Sequence, residues 1–201
     1  MISIVIAEDQ TMVLGAVAAL LGLEEDMQVI GQATNGHDAI KLVETLRPNV
    51  IVSDIEMPGC TGIEVARHIH AHNLPTQVLI VTTFGRPGYL RRAMEASVRG
   101  YLLKDSPIEV LSDAVRQVAA GRNVLAPELI ETAWDAQPDP LNEREREILR
   151  LAEEGLSNKA IGLALNLSPG TVRNYLSESA SKLGAANRIE AGRIARANGW
   201  L

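Results

Sequence analysis

Short apolar runs alternate with helical patterns through the first 121 residues. ISIVIA (2–7), MQVIGQA (27–33), NVIVSD (49–54), QVLIVTT (77–83) and RGYLL (99–103) are rich in β-branched residues and mostly apolar on both faces. Strands buried between two helix layers read this way. Helices are predicted near 10–22, 35–46, 61–72 and 87–97, with a fifth at 107–120. For the fifth, Ser106 is a candidate N-cap, Pro107 takes the first helical position and Glu109 completes a capping box. Gly121 stands where a helix stop is expected. Five β–α units in succession predict a doubly wound, five-stranded parallel sheet of flavodoxin-like length, an α/β unit with its site beyond the C-terminal ends of the strands.

Residues 122–140 break this rhythm. PELIETAW has the pattern of a short helix, and DAQPDP sets two prolines in a polar run, so the segment reads as a linker. No strand pattern follows. Residues 141–201 read as a small all-α unit, with helices near 142–154, 158–165, 169–183 and 187–198. Asn142 with Glu145, Ser157, and Ser168 followed by Pro169 are capping signals. The predicted organisation is 1–121, a linker at 122–140, and 141–201.

Composition narrows the class. An apolar fraction of 46% and a charged fraction of 22% exclude wholesale disorder. Only 3% of residues are aromatic, so the core is built from Val, Ile, Leu and Ala. A single cysteine, Cys60, excludes an intrachain disulfide and argues against a thiolate zinc site. MISIVIAEDQ is not a basic leader followed by a long apolar stretch, and no apolar run approaches ~20 residues. A cytoplasmic protein without membrane insertion is expected. The net charge of −6 hides an asymmetry. Residues 1–121 carry nine Lys and Arg against fourteen Asp and Glu, whereas 156–201 carry six against two. An acidic front and a basic tail predict two modules with different partners.

The predicted first strand ends in Glu8-Asp9 and the third in Asp54. With these strands adjacent and parallel, three carboxylates converge at one sheet edge. Singly, each could be a helix cap or a loop acid. Together, like charges about 4 Å apart repel by about 4 kcal/mol at an effective dielectric near 20. Such a cluster calls for a cation, and carboxylate oxygens with water suit Mg²⁺. The fourth strand ends in Thr82 and the fifth in Lys104, which brings a hydroxyl and an ammonium to the same edge. This set fits phosphoryl transfer onto a carboxylate, with Asp54 as nucleophile and Lys104 and Thr82 holding the transferred group.

These motifs, Glu8-Asp9, SDIEMPG with Asp54, VTTF with Thr82 and GYLLKD with Tyr101 and Lys104, resemble a two-component response-regulator receiver over about residues 1–121. The resemblance implies that a sensor histidine kinase phosphorylates Asp54 and that Thr82 and Tyr101 form the switch, Tyr101 turning inward behind a moving Thr82. It implies that Mg²⁺ is held by Glu8, Asp9, Asp54 and the backbone carbonyl of Glu56. The protein then accepts a phosphoryl group, and sheds it by autodephosphorylation, without being an enzyme in its own right. Asp105 follows Lys104 where many receivers carry proline, which argues against a cis peptide there. Thr83 and Phe84 are expected to shape the edge of the phosphoryl site. Cys60 reads as incidental. His68, His70 and His72 alternate on a predicted helix, a spacing of two that does not share a face, so they read as surface histidines.

In the tail, Ile161, Ala164 and Leu165 form one apolar face, and Val172, Leu176 and Leu183 form another across a tight turn near 166–168. That is a helix-turn-helix pattern, although a plain helical bundle would read the same. The run LNEREREILRLAEEGLSNKAIGLALNLSPGTVRNYLSESASKLGAANRIEA is similar to a LuxR-type DNA-binding domain. By that resemblance 169–183 is the recognition helix and Arg173, Asn174 and Ser177 face bases. Lys159, Thr171, Lys182 and Asn187 are expected at phosphates, contacts that position without reading sequence. Ser177 stands where some relatives carry lysine. Glu143, Glu145, Glu147, Glu153 and Glu154 would repel DNA if they faced it.

Receiver plus LuxR-type tail is the architecture of the NarL/FixJ family. It implies a transcription factor that dimerises on phosphorylation, through helices one and five, and binds promoter DNA, with RNA polymerase as a further partner. FGRPGYLRRAMEA, GYLLKDSP, APELIE and GTVRNYLSE are similar to a regulator of membrane-lipid desaturation in that family. Two other readings stay open. One is a receiver that acts through protein contacts without phosphate. The other is a metal-dependent phosphatase built on Asp54, with Glu56 as the second acid.

Overall fold

The computed structural model describes residues 1–83, 86–125 and 138–201. The chain divides into two compact units. Up to residue 125 the elements are β1 (Ile2–Ala7), α1 (Thr11–Leu21), β2 (Met27–Ala33), α2 (Gly36–Leu46), β3 (Val50–Ser53), α3 (Gly62–Ala71), β4 (Gln77–Thr82), α4 (Pro87–Glu95), β5 (Gly100–Leu103), α5 (Ile108–Ala119) and β6 (Val124–Leu125).

The sheet is parallel throughout in the order β2-β1-β3-β4-β5-β6. It has six strands, not the expected five. Val124 N–H donates to the Arg99 carbonyl at 2.8 Å, and Tyr101 is in register with Leu125. The start of the expected linker is therefore the last strand of the sheet. Two residues are too few to show a period of two, which is why the pattern missed them. The expected PELIETAW helix and Phe84 lie outside the described residues.

The core is aliphatic. Ile4, Val5, Val50, Ile51, Leu79 and Ile80 are each 0% exposed, as expected for strands covered on both faces. Chain order reverses between β1 and β3, the position where open α/β sheets leave a crevice at the strand ends. At α5 the expected capping box does not form. The Ser106 N–H is used in a turn to the Leu103 carbonyl, and the helix starts at Ile108 with Pro107 as an N-cap that makes no side-chain bond. Gly121, just past α5, has φ +76°, a conformation that favours glycine.

The C-terminal unit contains α6 (Glu143–Glu153), α7 (Asn158–Leu165), α8 (Pro169–Lys182) and α9 (Arg188–Ala197). Each expected cap is present. Asn142 accepts from Glu145 N–H in a capping box, Ser157 from Ala160 N–H and Ser168 from Thr171 N–H, with Pro169 opening α8. Ile148, Leu149, Ile161, Val172, Leu176 and Ala191 form its core. Ala164, expected on the apolar face of α7, is exposed. Gly162 sits inward instead, and a Cβ there would lie 2.6 Å from the Leu167 carbonyl oxygen, so α7 packs directly onto the turn before α8. Among the described residues no helix is long and apolar enough to cross a membrane.

Candidate functional site

Backbone pairing carries the site residues one step beyond the strands. Ala7 and Ser53 are register partners, and Asp54 N–H donates to the Ala7 carbonyl at 2.9 Å. Thr82 pairs with Leu103, and Lys104 N–H donates to the Thr82 carbonyl at 2.8 Å. Glu8 N–H donates to the Ala33 carbonyl at 3.0 Å. The side chains that follow each last pair therefore rise from one edge.

Lys104 Nζ lies 2.7 Å from Glu8 Oε2 and 2.8 Å from Asp54 Oδ2. The other Asp54 oxygen, Oδ1, accepts from Ile55 N–H at 2.6 Å. Burial pushes the Glu8 and Asp54 carboxyls above the usual carboxylate range, against the pull of Lys104. Asp9 adds a further upward push on Asp54. For Lys104, burial favours the neutral amine, but the bonds to Asp54 and Glu8 outweigh it and its pKa ends raised.

Glu8, Asp9 and Asp54 each offer a carboxylate oxygen within 4.8 Å of the others. A hard divalent cation that keeps several waters fits this all-oxygen set. Thr82 is 0% exposed and Tyr101 1% exposed, so both side chains are buried in the receiver. Glu56 is half-buried in the loop after Asp54, and Thr83 is exposed. Gly62 opens α3 tightly against this edge. A Cβ there would lie 2.0 Å from the Asp54 carbonyl oxygen and 2.7 Å from Ser53 Oγ.

In the C-terminal unit, Arg173, Asn174 and Ser177 are exposed on α8, and Lys159 is exposed on α7. Thr171 Oγ1 is 2.8 Å from Ser168 Oγ. Asn187 is the N-cap of α9, its side chain accepting from Ile189 and Glu190 N–H. Lys182 differs from a free phosphate contact, because its Nζ lies 2.7 and 2.8 Å from the two oxygens of buried Glu145. Two more of the worrying acids are also paired, Glu147 with Arg144 and Glu153 with Arg196. Sequence reasoning passed over Asn158 and Arg188, which line one groove with Arg173, Ser177 and Asn187. Arg188 follows a cap residue, and that was the available signal.

Residues 4–116 match the model of the response regulator receiver domain, and residues 139–195 match that of the bacterial regulatory proteins of the luxR family. The chain belongs to the LuxR-type response regulators. This response regulator is 48% identical to the transcriptional regulatory protein DesR of Bacillus subtilis (strain 168) over the whole of both chains. It is 50% identical to the uncharacterized transcriptional regulatory protein YvfU of the same strain, again over the whole of both. Among solved structures it resembles the response regulator ChrA of a heme-sensing two-component system, with 35% identity and a TM-score of 0.59 over 100% of this chain and 98% of that one. The RcsB response regulator in a DNA complex matches with 25% identity and a TM-score of 0.62 over 98% of each chain. The response regulator is thus a transcription factor built from a receiver and a LuxR-type DNA-binding domain.

Proposed function

We propose that Asp54 is the phosphoacceptor of this response regulator and that a sensor histidine kinase is its donor. The observation that carries the reading is the Lys104 bridge between Glu8 and Asp54 beside Asp9. An Asp54 carboxylate oxygen attacks phosphorus, the P–O bond forms as the P–N bond to the donor histidine breaks, and that nitrogen takes up a proton. Lys104 follows the charge from carboxylate to phosphoryl oxygen, and the Thr82 hydroxyl donates to another. Mg²⁺, held by Glu8, Asp9, Asp54 and the Glu56 carbonyl, would supply positive charge against the carboxylates and the phosphoryl oxygens. Asp54→Asn is expected to keep the fold and lose all labelling by acetyl phosphate. Labelling retained in that variant overturns the assignment.

Phosphorylation then shifts a conformational equilibrium through contacts made only by the inward switch pair, Thr82 and Tyr101. A differential contact energy of about 3 kcal/mol changes the ratio by over 100-fold. Dimerisation through α1 and α5 is the proposed readout. Met12, Leu20 and Leu23 on and after α1 are 86%, 42% and 80% exposed, and Val110 on α5 is 44% exposed, an apolar surface that supports this choice. Of the apolar residues these two helices offer, Val13 and Val17 are half-buried, and Leu21, Leu111, Val115 and Val118 are buried in the core.

The dimer places two recognition helices on promoter half-sites. Arg173, Asn174 and Ser177 read bases, while Lys159, Thr171 and Asn187 contact phosphates and Lys182 does so only alongside its bond to Glu145. Autodephosphorylation resets the switch, and RNA polymerase is the downstream partner. Control of membrane-lipid desaturation is the proposed output, supported by the resemblance to DesR. Promoter capture with phosphorylated protein tests it, and recovery of promoters unrelated to lipid metabolism would reject it.

A further inference from the structure

Three histidines on α3 read as isolated from spacing, yet two of them share a face. His68 and His72 are four residues apart, one turn of helix, and their rings stack with centroids 4.0 Å apart. From α2, Glu44 reaches across, and His68 Nε2 donates to Glu44 Oε1 at 2.8 Å. Two ligand atoms each 2.0–2.1 Å from a tetrahedral ion stand about 3.3 Å apart. The His68–Glu44 pair is therefore within about half an ångström of one edge of a coordination tetrahedron.

His72 is prepared in a different way. Its Nδ1 donates to the His68 carbonyl at 2.9 Å. A carbonyl oxygen only accepts, so the proton of a neutral His72 ring sits on Nδ1 and Nε2 carries a bare lone pair. Metal-binding histidines characteristically have this backbone bond, which fixes the tautomer and the ring orientation. The three groups do not yet converge as closely as Glu8, Asp9 and Asp54 do. With the His72 ring held by its backbone bond, the adjustment falls to Glu44, whose side chain is 48% exposed.

We propose that His68, His72 and Glu44 form a second cation site, for a borderline transition-metal ion such as Zn²⁺, Ni²⁺ or Cu²⁺. The ion takes the place of the proton shared by His68 Nε2 and Glu44 Oε1, and that proton is released to solvent. Ligand chemistry separates this site from the edge of the sheet. Two imidazoles select nitrogen-seeking ions, whereas the all-carboxylate cluster selects Mg²⁺. Occupancy clamps α2 to α3, the helix whose first residue lies against the Asp54 carbonyl.

The test is Ni²⁺ titration by calorimetry of the untagged full-length chain, with saturating Mg²⁺ present to hold the acidic cluster. Cu²⁺ electron paramagnetic resonance counts the bound nitrogens. One Ni²⁺ per chain and two coordinated nitrogens are expected. His68→Ala and His72→Ala should each weaken binding about tenfold or more, and Glu44→Gln by a smaller factor. His70→Ala, two residues from each and about 200° around the helix, should leave binding unchanged. Equal loss in His70→Ala and His72→Ala, or an unchanged titration in His68→Ala, would overturn the proposal.

Discussion

Replacing Asp9 by Asn should reverse the order of stability with and without Mg²⁺. Lys104 bonds both Glu8 and Asp54, so that trio carries one uncompensated negative charge. Asp9 adds a second carboxylate, within 4.8 Å of both acids. Two charges at this distance repel by about 3.5 kcal/mol at an effective dielectric of 20 and about 0.9 kcal/mol in water. Asp9 is exposed, so the lower figure applies. Asp9→Asn should stabilise the metal-free receiver by about 1 kcal/mol, a rise of about 3–5 °C in Tm.

With Mg²⁺ the sign changes. A ligand at a hundred times its Kd stabilises the folded state by about 2.7 kcal/mol. The wild type gains that in full, and a variant lacking one of three carboxylates gains only a fraction. Differential scanning calorimetry of both proteins, in chelator and in excess Mg²⁺, reads all four values. The variant should melt higher in chelator and the wild type higher in Mg²⁺. The same order in both buffers would refute the electrostatic argument. A metal-free variant that melts below wild type would show that Asp9 makes a stabilising contact that outweighs the repulsion.

Other expectations follow from the same geometry. Gly62→Ala forces a Cβ to 2.0 Å from the Asp54 carbonyl oxygen, and backbone must move. It should cost about 3 kcal/mol in urea unfolding and slow acetyl-phosphate labelling of Asp54. Glu145→Ala removes a capping box and the partner of Lys182, which should destabilise the DNA-binding domain by about 2 kcal/mol, read from the helical circular dichroism signal. Asp26 is held below the usual carboxylate range, chiefly by its hydrogen bond to Arg116. Its contribution is present above the unfolded pKa of about 3.9 and is lost as pH falls through the lower folded value. The Tm gap between wild type and Asp26→Asn should therefore close on acidification from pH 5 to pH 2, and a gap that widens would contradict the pairing.

Much of this was legible because burial leaves a pattern. Strands 2–7 and 27–33 coincide with their apolar runs residue for residue, and the three acids follow from the rule that parallel strands deliver their C-terminal residues to one edge. The caps at Asn142, Ser157 and Ser168 are local chemistry, readable within four residues. What escaped lay in long-range partners. Glu145 and Lys182 are 37 residues apart, and each alone looks like a solvated charge. Ser106 matched a cap motif, but the turn out of β5 claimed its backbone first. The pairing of His68 with Glu44 spans 24 residues and two helices. Nothing in the α3 spacing announces it.

The two-residue strand β6 bears on where such proteins can be cut and recombined. A sheet edge offers unpaired N–H and C=O groups to any other extended chain, and the GYLL sequence of β5 is apolar. Val124 and Leu125 occupy that edge. A fragment ending at Gly121, the boundary that helix periodicity suggests, would bare β5 and become prone to self-association by strand addition. A fragment extended past Leu125 keeps the edge sealed. Natural chimaeras should obey the same limit, exchanging their output modules downstream of this strand, so that the unit of inheritance is a receiver together with the first residues of its own tether.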